Sequence, residues 1–314
     1  MPFFASPDKV PGHHSAPRTM TGDRKAGRLA AVTTQLVQDP LAEQAAAAAA
    51  AAGVTVRELE GVDELVEADG VLSQVWGGDA QLALPANQQP VSLLRAFAHT
   101  GNYLAGAFEG PELVGVSVGF AWGSPEERKL HSHISGVAEP CQGKGVGFAL
   151  KLHQRSWAAC RDYTGITWSF DPLVRRNAWF NLMKLGATIE AYHPQFYGFM
   201  NDGLNAGEDS DRCLVAWPVA GEVLPAEIRP TGGLPLLVEG AGGEPVLAEP
   251  TGAPDAVYLC QIPCAVVALR REDPALARRW RLALRDTMGA AIQAGWIASR
   301  ITREGCYVLV NGAV

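Results

Sequence analysis

The chain lacks most of what would tie it to metal, nucleic acid or membrane. Its six cysteines (Cys141, Cys160, Cys213, Cys260, Cys264 and Cys306) form no Cys-x-x-Cys unit, and its seven histidines show no ligand spacing. No metal site is expected, and reduced thiols are the simplest state. The formal net charge of −7 comes without a basic run, which argues against nucleic acid or an acidic membrane surface as partner. The longest apolar run, residues 45–52, is too short and too weakly hydrophobic to cross a bilayer, and nothing ahead of it has the order of a signal peptide. A cytoplasmic protein acting on small molecules is therefore expected. What the chain does have is core material: 314 residues, 47% hydrophobic and 19% charged, enough for one large or two ordinary cores.

Residues 1–24 carry four prolines and the His13-His14 pair without periodicity and read as a loose, solvated tail. The Ala-rich stretch within residues 25–52 reads as a helical arm from Pro40, stopped by Gly53. From Val54 the pattern alternates. Residues 54–59 read as a strand, 62–76 as a helix turning Leu65, Val66, Leu72 and Val75 inward, and 92–99 as a second helix. Residues 103–108 and 112–122 read as neighbouring strands joined at Glu109-Gly110-Pro111. The second places Val114, Val116, Val118, Phe120 and Trp122 on one face. Gly115, Ser117, Gly119 and Ala121 lie on the other, small enough for a helix or ligand to lie close. A fourth strand over 129–137 precedes a long helix with Val146, Ala149, Leu150, Trp157 and Cys160 on its stripe. The fold class expected is α/β (α+β): a mixed, mostly antiparallel central sheet covered by helices. Residues 53–219 form the main domain. Residues 220–314, where Gly232-Gly233 and Gly240–Gly243 punctuate short strands and Asp273-Pro274 opens a helix, read as a smaller αβ extension, packed on the first unit or used in a homodimer.

Between the fourth strand and its helix stands Gln142-Gly143-Lys144-Gly145-Val146-Gly147. Small residues let backbone close on an anion, and the first amides of a helix lack intrahelical partners, so a pyrophosphate cradle is expected. A nucleotide-triphosphate loop needs Ser or Thr after the lysine, where Gly145 stands. A dinucleotide fingerprint needs its third glycine where Phe148 stands; Asp171, closing the next strand, leaves it as the runner-up. Gln/Arg-x-x-Gly-x-Gly/Ala fits at every position.

That loop resembles the acyl-CoA loop of the GCN5-related N-acetyltransferase (GNAT) superfamily. The resemblance runs on through Val137-Ala138-Glu139-Pro140-Cys141-Gln142, the strand Ile166-Thr167-Trp168-Ser169-Phe170-Asp171-Pro172, and Asn177-Ala178-Trp179-Phe180-Asn181-Leu182-Met183-Lys184-Leu185-Gly186, and so spans residues 54–219. It implies an N-acyltransferase with acetyl-CoA or another acyl-CoA as co-substrate and a small-molecule amine or amino acid as acceptor. It also implies pantetheine pairing along the Ser135 to Val137 backbone and a phosphate contact from Gln142. The residues themselves add the backbone amides from Gly143 through Gly147, Val146 included, with Lys144 as a further side-chain contact. The helix-start asparagine of the pattern falls on Arg175, and Asn177, two residues later, is the candidate for its contact. Glu139 replaces the usual proline of the pattern.

Direct transfer needs a base for the amine and a proton for the leaving thiolate. His133, His131 and Glu139 are the candidate bases, with the two histidines and Ser135 expected on one face of the fourth strand; His153 reads as packed. Leu182 falls where a tyrosine acid is common and cannot donate. Either Tyr192 or Tyr197 supplies the proton, the thiolate leaves unassisted, or the chain is a non-catalytic acyl-CoA-binding module. Asp171, Arg175 and Arg176 gather where the fifth strand feeds the next helix, suited to a carboxylate on the acceptor or acyl group, though Asp171 also reads as a helix cap.

Overall fold

A computed structural model describes residues 39–76, 91–198, 209–221, 233–249 and 256–312. The expected tail, the first part of the arm and Gly232 lie outside the described residues. Among the described residues the strands form one twelve-stranded sheet in the order β1-β2-β3-β4-β5-β7-β6-β11-β12-β10-β8-β9. The strands are β1 (Thr55–Glu58), β2 (Tyr103–Glu109), β3 (Glu112–Trp122), β4 (Lys129–Val137), β5 (Gly165–Phe170), β6 (Thr188–His193), β7 (Arg212–Pro218), β8 (Leu234–Glu239), β9 (Pro245–Leu247), β10 (Tyr258–Gln261), β11 (Trp296–Ile301) and β12 (Cys306–Asn311). All pairings are antiparallel except β4 with β5 and β8 with β10. The mixed, mostly antiparallel sheet covered by helices is thus the one the sequence led us to expect.

Helices α2 (Val62–Trp76) and α3 (Val91–His99) cover one face of β2 to β4, while α1 (Pro40–Ala51) and α4 (Val146–Ala159) cover the other. The arm is docked: its alanines let it lie against α4, with Ala45 buried and Ala48, Ala49 and Ala52 packed on the core. On α2 the inward stripe is Leu65, Ala68, Val71 and Leu72, whereas Val66 is 55% exposed, correcting its expected place. Helix α4 ends at Ala159, so Cys160 lies past the stripe and is exposed.

Two β-bulges reset the alternation that the sequence suggested. The pairing of β2 with β3 skips Val114, so Val114 joins α4's cluster while Leu113, Val116 and Val118 pack under α2 and α3. Gly115 is indeed a close-approach position: a Cβ there would stand 3.1 Å from Val146 and 3.2 Å from Leu150. The pairing of β3 with β4 skips His133 in the same way, Val118 facing Ile134 and Gly119 facing Ser132.

The C-terminal strands continue the sheet, joined where Ala298 of β11 faces Ile189 of β6. A second tie is electrostatic. Asp171, one residue beyond β5, is 7% exposed and accepts from Arg270 on α6 (Val266–Glu272) and from Arg281 on α7 (Pro274–Leu284), with Arg212 at 3.7 Å. Its Oδ1 also caps Leu173 N at 2.9 Å. Burial alone would raise its pKa, but Arg281, Arg270 and Arg212 outweigh it and hold the carboxyl well below the ordinary range. The folded state therefore binds this proton more weakly than the unfolded chain does. Its contribution is complete above the ordinary carboxylate pKa of about 4 and is lost as pH falls below it. Asp171→Ala should cost about 3–5 kcal/mol in urea unfolding at neutral pH, because it strips a buried acceptor from buried guanidinium groups. The gap from wild type should narrow as the solution is acidified.

Candidate active site at the parting of β4 and β5

Strand β4 pairs with β3 from Lys129 to Val137 but with β5 only where Lys129, Leu130 and His131 face Gly165, Ile166 and Thr167. Past that point the two parallel strands separate, with the His133 bulge bending β4 away just beyond the last pair. Carbonyls on the open edge of β4 still need donors. The indole Nε1 of Trp76, at the end of α2, donates to Ser135 O at 3.1 Å, and Gln142 Nε2 donates to Val137 O at 3.1 Å. The Gln142 side chain is thus turned onto its own strand, not outward to a ligand.

The loop sits at the open end of this fork. A 3₁₀ turn (Glu139–Cys141) leads into Gly143 at φ 78° and Gly145 at φ 96°, where Gly145 is the N-cap of α4. These left-handed conformations favour glycine, and they swing the loop around the start of α4. Phe148 N and Ala149 N both bond Gly145 O at 3.0 Å, while the amides of Val146 and Gly147, in the helix's first turn, have no intrahelical acceptor. Gly147 is not sterically required, since a Cβ there would meet Val137 at an ordinary 3.9 Å. Lys144 is exposed beside these amides. The outcome is an amide-lined, locally positive rim next to an unpaired strand edge.

On the α2–α3 face of the fork lie His131, His133, Phe120, Trp122 and Thr167. His131 Nδ1 is 3.3 Å from Thr167 Oγ1, which also receives Trp122 Nε1 at 3.0 Å; Phe120's ring centroid is 5.2 Å from His131's and 5.8 Å from His133's. Burial, with help from His133 and Lys151, pushes His131 down to about 4, and burial lowers His133 too. Both imidazoles are therefore neutral at pH 7, the form a base requires. Ser135 does not share their face. The bulge returns it to the α4 side, where its Oγ is 2.9 Å from Ser117 Oγ.

The other expected site residues divide. Tyr197 stands on the β5 lip, its hydroxyl 3.0 Å from Ser169 Oγ. Tyr192 is buried two strands away and donates to Asp211 at 2.7 Å, with burial and then Asp211 raising its pKa, so the fold removes it from the fork. Glu139 is exposed in the turn past β4. Arg175 and Arg176 open α5 (Arg175–Trp179) and line a cavity of about 280 Å³ with Trp179 and Arg303, whereas Asp171 faces Arg270 and Arg281, so the expected acceptor cluster is split. Asn177 lies in the first turn of α5, its amide bonded to Val174 O at 2.9 Å. His153 is packed as expected, Nδ1 3.0 Å from Tyr103 Oη. Sequence reasoning missed Trp76, Thr167 and Lys151. The only signal for Lys151 was its spacing with Gln154 and Arg155 on a helix whose neighbouring positions are apolar.

No family model matches the chain, and no curated protein matches it. Solved structures do. The ribosomal-protein-S18-alanine N-acetyltransferase from Escherichia coli matches at 16% identity and TM-score 0.41, covering 55% of this chain and 98% of that one. A GNAT-family acetyltransferase from Streptococcus pneumoniae matches at 14% and 0.42, over 52% and 99%. YncA, a putative acetyltransferase from Salmonella typhimurium with acetyl-CoA, matches at 15% and 0.41, over 56% and 99%. The likeness is to about half of this chain.

An NMR titration should find the His131 imidazole still neutral at pH 5.5 with its midpoint near 4, against about 6.5 for an exposed histidine. A midpoint at 6 or above would show that the fork is more open to water than its packing implies.

Proposed function

We propose that the chain is an acyl-CoA-dependent N-acyltransferase that moves a short acyl group to an amine by direct attack. The observation that carries this is the coincidence, at one end of β4, of an unpaired strand edge and an amide-lined glycine loop opening a helix. Acyl-CoA has the matching parts: a diphosphate for the loop and an amide-bearing pantetheine arm for the strand edge. The amides from Gly143 to Gly147 hold the diphosphate with Lys144 beside it, and the Ser135 to Val137 backbone takes the arm once Trp76 and Gln142 release its carbonyls.

The thioester then lies toward the apex of the fork, beside the His133 bulge. An amine approaches across the face of Phe120, Trp122, His131 and His133, with Tyr197 and Ser169 on the far lip. His133 is the better-placed base, because His131 is tied to Thr167 and holds a proton too weakly. Attack of the neutral amine on the thioester carbonyl forms the C–N bond, a backbone amide of β4 steadies the oxyanion, and the C–S bond breaks to give amide and thiol.

Thiol release should be measured from acetyl-CoA and succinyl-CoA with a panel of amino acids, small amines and peptide N-termini. Gly145→Val should weaken CoA binding at least about tenfold, roughly 1.4 kcal/mol, because a branched residue resists φ 96°. His133→Ala should lower kcat by about 100-fold with little change in CoA affinity. Unchanged CoA affinity in Gly145→Val would overturn the reading. CoA binding with no turnover across the whole panel would favour a non-catalytic acyl-CoA-binding module.

A further inference from the structure

Among the buried ionisable groups that acyl transfer as drawn does not use, one stands at the fork itself. Lys151 on α4 is 7% exposed, and burial, the one influence resolved on it, pushes its ammonium down to about 7. Its Nζ donates to Ser132 Oγ at 2.8 Å and to Gln154 Oε1 at 3.3 Å, and lies 3.9 Å from the centroid of the Trp168 ring. The last β4–β5 pair is His131 with Thr167, so Ser132 and Trp168 are the first residues past it, one on each strand. The amine of Lys151 therefore closes the crotch of the fork from the α4 side. Trp168 is itself fixed there by its Nε1 bond to Asn181 Oδ1 at 3.1 Å. Asn181 adjoins Leu182, whose buried apolar side chain can donate no proton.

A methionine would fill this volume without the cost of desolvating an ammonium, so packing alone does not account for the group. We infer that Lys151 acts through the Ser132 hydroxyl as a proton relay to the leaving thiolate at the apex of the fork. This rests on the acyl-transfer reading above. As the C–S bond breaks, its electron pair passes to sulfur. Sulfur takes the Ser132 hydroxyl proton, Ser132 Oγ takes one from Lys151 Nζ, and the neutral lysine regains a proton from the one shed by the attacking amine, by way of solvent. The products are amide, thiol and an unchanged lysine. With a thiol pKa of about 8.5, transfer from a lysine held near 7 runs downhill.

The test compares Lys151→Met and Ser132→Ala with wild type, using acetyl-CoA and the acetyl thioester of an acidic aryl thiol as donors. CoA affinity and melting temperature are measured alongside. With acetyl-CoA each variant should lose about 100-fold in kcat while CoA affinity holds. With the aryl thioester, whose thiolate leaves without a proton, kcat should stay near wild type, an effect that a merely structural role would not produce. Should one variant fail to fold, the other carries the comparison. Equal loss with both donors, or no loss with acetyl-CoA, overturns the relay while wild-type turnover leaves acyl transfer standing. A wild-type chain that transfers no acyl group from either donor overturns both.

Discussion

The separation of β4 from β5 after His131 and Thr167 is the constraint around which the rest of the molecule is arranged. A parallel pair that stops partway leaves two strand edges inside a helix-covered sheet, and buried backbone groups must find partners or admit a ligand that supplies them. Here two carbonyls on the β4 edge are met by side chains, Trp76 from α2 and Gln142 from the loop. Side chains can swing away where a neighbouring strand cannot. These two carbonyls are thereby satisfied in the free protein by groups that an extended strand could replace. The bulge at His133 serves the same geometry, bending β4 outward and turning two successive residues, His133 and Ile134, to the α2–α3 face.

Two of the buried charged centres, Asp171 and Lys151, are handled in opposite ways, and the contrast separates structure from chemistry. Asp171 is surrounded by Arg270, Arg281 and Arg212, so its ionised form is stabilised well beyond what burial costs it. Such a group does not change protonation in the physiological range and serves as a fastener. Lys151 has hydroxyl and amide acceptors and an aromatic face, all of which ease burial without fixing the charge. Its protonation is therefore free to change near neutrality, which is a property suited to proton transfer.

The strand and helix succession from residue 54 to residue 170 was legible because it obeys simple periodicities, whereas β6 (Thr188–His193) was not marked out. Strand β4 and helix α2 fall on the residues that alternation and the 3.6 repeat mark out. The turn into α4 was legible because glycines cluster ahead of the helical pattern, and two of them, Gly143 and Gly145, take positive φ. What sequence could not show was which face a residue takes once a bulge intervenes. A single skipped residue moved Ser135 away from His131 and His133, and another moved Val114 away from Val116. Long-range partners were equally hidden. Asp171 read as a helix cap and ligand contact because Arg270 and Arg281 lie 99 and 110 residues further along the chain.

That last pairing bears on the fork itself. Asp171 follows Phe170 directly, so the guanidinium groups of α6 and α7 grip the chain at the point where β5 ends. Tyr307 of β12 adds a hydroxyl bond of 2.7 Å to Pro172 O. In the splayed region β5 has lost β4 as a neighbour and keeps only β7 along its other edge. A strand end held on one side, with a loop beyond, is where fraying begins. The C-terminal segment supplies the missing restraint from outside the fork, at the lip that carries Ser169 and meets Tyr197. Its contribution to the site is thus mechanical: it sets the position of one wall, while the bulge and the loop glycines shape the other.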